Sequence, residues 1–317
     1  MRNQNFSALV EDYLAMRHSL GFDIERIRWL LRDFVHFIGR IEHRGPITVD
    51  LAARWALSSH SSDPARAERR LWAVRQFARH LAAFDPDTEI PPAGLFGRIT
   101  RRSRPHIYSD AEITALLQEC SRLQPYDGLR PKTYVALFSL LASTGLRVSE
   151  ACHLGRHDVD LCKGLLTVHE GKFRKSRLVP LHPTTVQALI RYVARRDASR
   201  GAQRSEFFFS TDRAPALERA AVEKTFSRLR DRLGWAASGR ARRPRIHDLR
   251  HTFAVRRLLR WYEEGVEVNQ KILALATYLG HAKVTDTYWY LSAVPELMAV
   301  TAKRFEHFAQ PQQESVS

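Results

Sequence analysis

A chain of 317 residues is long enough for two domains with ordinary cores, and its 44% apolar content excludes wholesale disorder. The longest apolar runs, such as Val135 to Ala142, fall far short of the roughly 20 residues of a membrane span, and the N-terminal MRNQNFSALVEDY has no apolar signal core. This points to a cytoplasmic protein without a membrane partner. Lys and Arg number 50 against 34 Asp and Glu, a net charge of +16 that points to a polyanion, most often nucleic acid, or else to an arginine-rich soluble surface.

The first hundred residues read as about four helices. FSALVEDYLAMRHSLGF, IERIRWLLRDFVHFIGR, LAARWALSS and AERRLWAVRQFARHLAAF each repeat apolar residues at three and four. Every basic Lys or Arg through Arg104 is an arginine, and Arg66, Arg69, Arg70, Arg75 and Arg79 cluster on one predicted helix, as a face lying along a DNA backbone or a solvated face would. Residues 85–107 are rich in proline and glycine, then arginine, and have no helical period; they read as interdomain sequence, with the linker at 99–107.

Ser109 followed by Glu112 forms a capping box that opens a second domain, residues 108–309. It begins with helices KTYVALFSLLAS and VSEACHL across the turn Ser143-Thr144-Gly145. LLTVHE and SRLVPL then flank the basic turn GKFRK as a hairpin. Further helices are expected at 182–196, 217–233, 247–264, 269–279 and about 295–305, before a disordered tail at 310–317. The cysteines, Cys120, Cys152 and Cys162, lack metal-type pairing; Cys152 and Cys162 lie in apolar contexts and read as buried residues of a reduced protein.

Residues that are cationic or can become so gather at element ends: Arg147 past the STG turn, Lys172 at the hairpin tip, His247 and Arg250 at a helix start, His281 after Gly280. His247 and Arg250 differ by about 60° around a helix, so both can face one pocket, and guanidinium forks match the oxygens of a phosphate. Tyr288 and Tyr290 are candidate nucleophiles; on a helix they point about 200° apart, so only one reaches that pocket. His247 and His251 also stand four apart, as two zinc ligands would. Such helices carry a glutamate beside the first histidine and need a third ligand, whereas this one has Asp248 and Arg250.

The ordered set Arg147 in TGLRVSEACHL, Lys172 in GKFRKSRLVPL, His247 and Arg250 in HDLRHTFA, His281 in YLGHAKV and Tyr290 in YWYL closely resembles the tyrosine recombinases, or phage integrase family, over residues 106–305. The resemblance implies a mainly α fold with a small antiparallel β-sheet or hairpin, in two domains. These are a helical, SAM-like core-binding domain at 1–98 and a mixed α+β catalytic domain. It implies a site-specific recombinase, similar to a mobile-element subgroup, that cleaves and rejoins double-stranded DNA through a 3′-phosphotyrosine. A homo-tetramer on synapsed, nucleoid-associated DNA would do this with neither metal nor nucleotide cofactor.

By the same resemblance Arg147 and Arg250 hold the scissile phosphate, and Lys172, or Lys175 beside it, protonates the leaving 5′ oxygen. His247 is the general base, His281 binds the phosphate, and Tyr290, nine residues after His281, attacks. Glu150, Asp248 and His251 read as supports around the pocket, and Trp289 as packing beside Tyr290. A DNA-binding regulator of the same fold and a type IB topoisomerase-like activity are the alternatives.

Overall fold

The computed structural model describes residues 5–59, 64–97, 104–169, 176–199, 205–237 and 242–293. The chain divides into two compact units, Met1–Arg102 and Ser103–Ser317.

The first unit is helical among its described residues, with α1 (Phe6–Ser19), α2 (Glu25–Arg40), α3 (Val49–Leu57) and α4 (Pro64–Leu81). Thr48 caps α3 by accepting from the Leu51 N–H at 3.1 Å. The apolar stripes meet in one core, where Phe34 and Trp55 pack edge to face at 5.1 Å beside the fully buried Leu31, Leu71 and Phe77.

The arginine cluster on α4 is not one surface. Arg70 is buried: it donates to the Trp55 carbonyl at 3.0 Å, pairs with Asp33 at 2.9 Å and lies over the Trp55 ring. Arg75 is also buried, paired with Glu68 at 3.0 Å and donating to the Pro91 and Pro92 carbonyls. Arg66, Arg69 and Arg79 remain exposed. Composition cannot separate the two groups, because an arginine serves equally as a surface charge and as a five-donor internal strut.

In the second unit the capping box forms, with Ser109 Oγ accepting from Glu112 N and Glu112 accepting from Ser109 N; it opens α5 (Asp110–Ser121). The apolar α6 (Leu129–Thr144) lies at the centre and packs against α5, α8 (Pro183–Ala198) and α10 (Asp248–Glu263), with Leu137, Phe138 and Leu141 in the main core. After the short α7 (Val148–Cys152) come β1 (Val159–Asp160), β2 (Leu165–Val168) and β3 (Arg177–Pro180), an antiparallel sheet in that order. The pair Leu166 and Val179 is fully buried at its middle. The remaining elements are α9 (Arg219–Arg232), α11 (Val268–Leu279) and α12 (Thr285–Ala293).

The fold class is therefore the expected one, mainly α with one small antiparallel sheet. Cys162 departs from expectation: it is exposed, while Cys120 and Cys152 are buried. It stands in the turn linking β1 and β2, where an apolar neighbour in sequence places nothing over its side chain. The expected helix at 295–305 and the tail lie outside the described residues, as do the hairpin tip with Lys172 and Lys175 and residues 98–103 of the linker region.

Candidate active site

Two helix ends build the floor of the site. α6 stops at Gly145 (φ 65°) and α11 at Gly280 (φ 66°), both in the left-handed conformation that glycine adopts without strain. Carbonyls left over at such ends carry the negative pole of the helix and suit cations. Arg250, near the start of α10, donates from Nη1 to the Gly145 carbonyl at 2.8 Å and from Nη2 to the Leu279 carbonyl at 2.6 Å. Arg147, just before α7, donates from Nη2 to the Gly280 carbonyl at 2.7 Å. Arg250 is only 2% exposed; burial, then the charge of Arg147, lower its pKa to about 10, so it remains a cation at neutral pH.

A single carboxylate ties this floor to the sheet. Glu150 accepts from Arg147 Nη1 at 2.6 Å and from the Arg147 N–H at 2.9 Å. Arg177, the first residue of β3, donates to both of its oxygens at 3.1 and 2.8 Å and, through Nε, to the Tyr278 carbonyl. Burial alone would raise the Glu150 carboxyl, but the bonds from Arg177 and from the Arg147 N–H, with the charges of both guanidiniums, bring it down to about 2. Three guanidiniums (Arg147, Arg177, Arg250) against one carboxylate leave this group with a net charge of +2.

His247 stands at the N-terminal boundary of α10, where its side chain makes no capping hydrogen bond. Burial first, then Arg250, push its pKa down to about 4, so it is neutral and can accept a proton at neutral pH. His281 Nδ1 shares a hydrogen bond with the hydroxyl of the buried Thr287 at 2.7 Å, and its ring lies nearly parallel to Tyr290 at 6.4 Å.

α12 separates the two tyrosines. Tyr288 is 43% exposed, whereas Tyr290 is 2% exposed and turned toward α10. Its hydroxyl lies 2.8 Å from His251 Nδ1, and Trp289 packs against it edge to face at 5.4 Å.

The structure thus brings together Arg147, His247, Arg250, His281 and Tyr290; Lys172 lies outside the described residues. Sequence reasoning missed Arg177, and it read His251 as a support around the pocket without its link to Tyr290. Neither shows a local signal beyond a polar residue in a motif, since their partners are 27 and 39 residues away. Among the described residues no cluster of His, Cys, Asp or Glu is arranged to hold a metal ion.

A cationic pocket of this kind beside a hydroxyl is the equipment of an enzyme that transfers a phosphoryl group through its own side chain. The structure is similar to the Tn1549 transposon integrase in complex with circular intermediate DNA (TM-score 0.66, 17% identity, covering 95% of this chain and 99% of that one). It is also similar to residues 75–356 of lambda integrase bound to a COC′ core site (TM-score 0.63, 19% identity, 88% and 96%). In sequence, the chain is 39% identical over 305 residues to the integrase/recombinase y4rB of Sinorhizobium fredii, spanning 95% of this chain and 97% of that protein. It is 28% identical over 302 residues to tyrosine recombinase XerD of Bradyrhizobium diazoefficiens, spanning 92% of each. The model of the phage integrase family matches residues 108–296, and the chain belongs to that family as a site-specific DNA recombinase, an enzyme that cleaves and rejoins DNA.

Proposed function

We propose that this recombinase cleaves double-stranded DNA by attack of the Tyr290 hydroxyl on a phosphodiester gripped by Arg147 and Arg250. The observation that carries the reading is the pair of guanidiniums held on helix-end carbonyls in the same pocket as a buried tyrosine. His247, kept neutral, takes the tyrosine's proton, and His281 donates to a non-bridging oxygen. Lys172, on the β2–β3 connection, protonates the departing 5′ oxygen. The P–O bond to the tyrosine forms as the bond to the 5′ oxygen breaks, leaving a 3′-phosphotyrosine and a free 5′ hydroxyl. Attack by a partner strand's 5′ hydroxyl reverses the step, and bond energy is conserved, so the chemistry asks for no metal or nucleotide.

Charge supports the assignment. A phosphodiester carries one negative charge and the five-coordinate state on the way to transfer about two, so a site of net charge +2 is better matched to the latter. Residues 1–98 serve as the core-binding domain, 99–107 as linker and 108–309 as the catalytic domain. Four copies act together on two duplexes in the cytoplasm, at sites of the kind a mobile element carries; the DNA complex of the transposon integrase supports this partner.

The test uses nicked duplexes drawn from the DNA flanking the gene, so that cleavage traps the covalent protein–DNA adduct. Tyr290→Phe abolishes the adduct and leaves DNA binding intact. Adduct that persists in Tyr290→Phe and vanishes in Tyr288→Phe overturns the choice of nucleophile, and wild-type protein that binds such a site without forming adduct overturns the catalytic reading.

A further inference from the structure

The Tyr290 hydroxyl is not held by the histidine expected to activate it. Its 2.8 Å partner is Nδ1 of His251, the residue after Arg250 on α10. The His251 ring is itself fixed by neighbours. It stands perpendicular to His247 at 4.7 Å, meets Tyr290 edge-on at 5.5 Å and lies 5.7 Å from Trp289. Three aromatic neighbours from two helices leave the imidazole little rotational freedom, so the direction of its ring nitrogen is set by packing.

The chemistry of the contact has one consistent sense. A phenol is a donor until it ionises, so Nδ1 accepts and Nε2 carries the imidazole proton, a tautomer inferred from this partner. Accepting requires a neutral ring, and burial first, then the neighbouring His247 and the guanidiniums of Arg245 and Arg250, keep His251 neutral, with its pKa pushed down to about 3. The same surroundings make it a weak equilibrium sink for a proton. What it supplies is direction: with the O–H vector pinned toward α10, the oxygen's lone pairs face away from that bond.

We propose that His251 is a positioning residue for the nucleophile, holding the Tyr290 hydroxyl through Nδ1 so that α12 presents the oxygen in one orientation to the phosphate held by Arg147 and Arg250. The inference rests on Tyr290 being the nucleophile. Arg250 and His251 are consecutive, so one turn of α10 fixes the substrate's phosphate with one side chain and the attacking oxygen with the next. A shift of α10 therefore moves both together and preserves their spacing.

The experiment measures single-turnover adduct formation at saturating nicked DNA, alongside the DNA concentration for half-saturation. His251→Asn keeps an acceptor oxygen close to the position of Nδ1 but cannot serve as a base; His251→Leu fills the space and has no acceptor. Leu is expected to slow adduct formation by about 10- to 100-fold, the scale of a misplaced nucleophile. Half-saturation stays unchanged, and Asn restores most of the rate. Should Leu fail to fold by thermal melting, His251→Ser, too short to reach the hydroxyl, replaces it with the same expectation. An unchanged rate without the acceptor overturns the proposal, and so does equal loss in Asn and Leu, which would make His251 a proton carrier. Tyr290→Phe run in parallel separates the two readings. Adduct in that variant refutes the nucleophile, whereas its absence together with full activity of His251→Leu refutes only the role of His251.

Discussion

Replacing Glu150 with glutamine keeps the shape of the side chain and deletes the charge that Arg147 and Arg177 share. A carboxyl held at about 2 in the folded protein against 4.5 in the unfolded chain stabilises the fold. At 1.36 kcal/mol per pH unit the contribution is about 3 kcal/mol, and it is fully present above pH 4.5. Because the folded value is the lower one, the contribution fades as acid is added: by the same linkage about 2 kcal/mol remains at pH 3.5, and it vanishes below pH 2. Urea unfolding of wild type and E150Q between pH 7 and 3.5 measures the difference, taken on the transition that the substitution shifts. The histidines titrate in both proteins and cancel in the comparison. The expected gap is about 3 kcal/mol at pH 7, narrowing by about a third at pH 3.5. A gap below 1 kcal/mol at neutral pH, or one that does not change with pH, would refute the view that the Glu150 charge anchors the site.

Two further outcomes follow from the same geometry. At sub-saturating DNA, adduct formation should show no step from His247 near pH 6.5, because burial and Arg250 hold His247 neutral down to about pH 4; a wild-type inflection near 6.5 that disappears in His247→Gln would contradict this. Gly280→Ala should cost about 1–2 kcal/mol for a left-handed alanine and also abolish most adduct formation, since its Cβ would lie 2.8 Å from Arg177 Nη1 and the carbonyl of the same residue receives Arg147. Gly265→Ala, with a similar φ of 72° and open space around it, should melt earlier but retain activity; calorimetry with the adduct assay distinguishes the two.

Helical periodicity was enough to place the long elements, because stripes such as Ile27, Leu30, Leu31, Phe34 and Phe37 are local and each buries against a neighbour. The hairpin was readable for the same reason, its alternation surviving in the buried Leu166, Val168 and Val179. β1 was not separated as a strand of its own, since two residues have no period to detect. Within the site, the arginines were legible as cations at element ends, and the histidines as site residues whose charge state burial then decides. What they rest on was not: a carbonyl acceptor has no letter in a sequence, and the meetings of Arg177 with Glu150 and of His251 with Tyr290 exist only once distant segments pack. The split of the α4 arginines into struts and surface charges was hidden for a similar reason, as Arg70 and Arg75 are assigned by Glu68 on α4 itself and by Trp55, Asp33 and two proline carbonyls elsewhere in the first unit.

Arg250 and one arm of Arg147 are seated on main-chain oxygens at the ends of α6 and α11. A side-chain acceptor can be lost by one base change, but a carbonyl is present whatever residue carries it. As long as the two helices end where they do, the surrounding sequence is free to drift without unseating the guanidiniums. The geometry of the pocket is then set by where α6 and α11 end rather than by which side chains surround it.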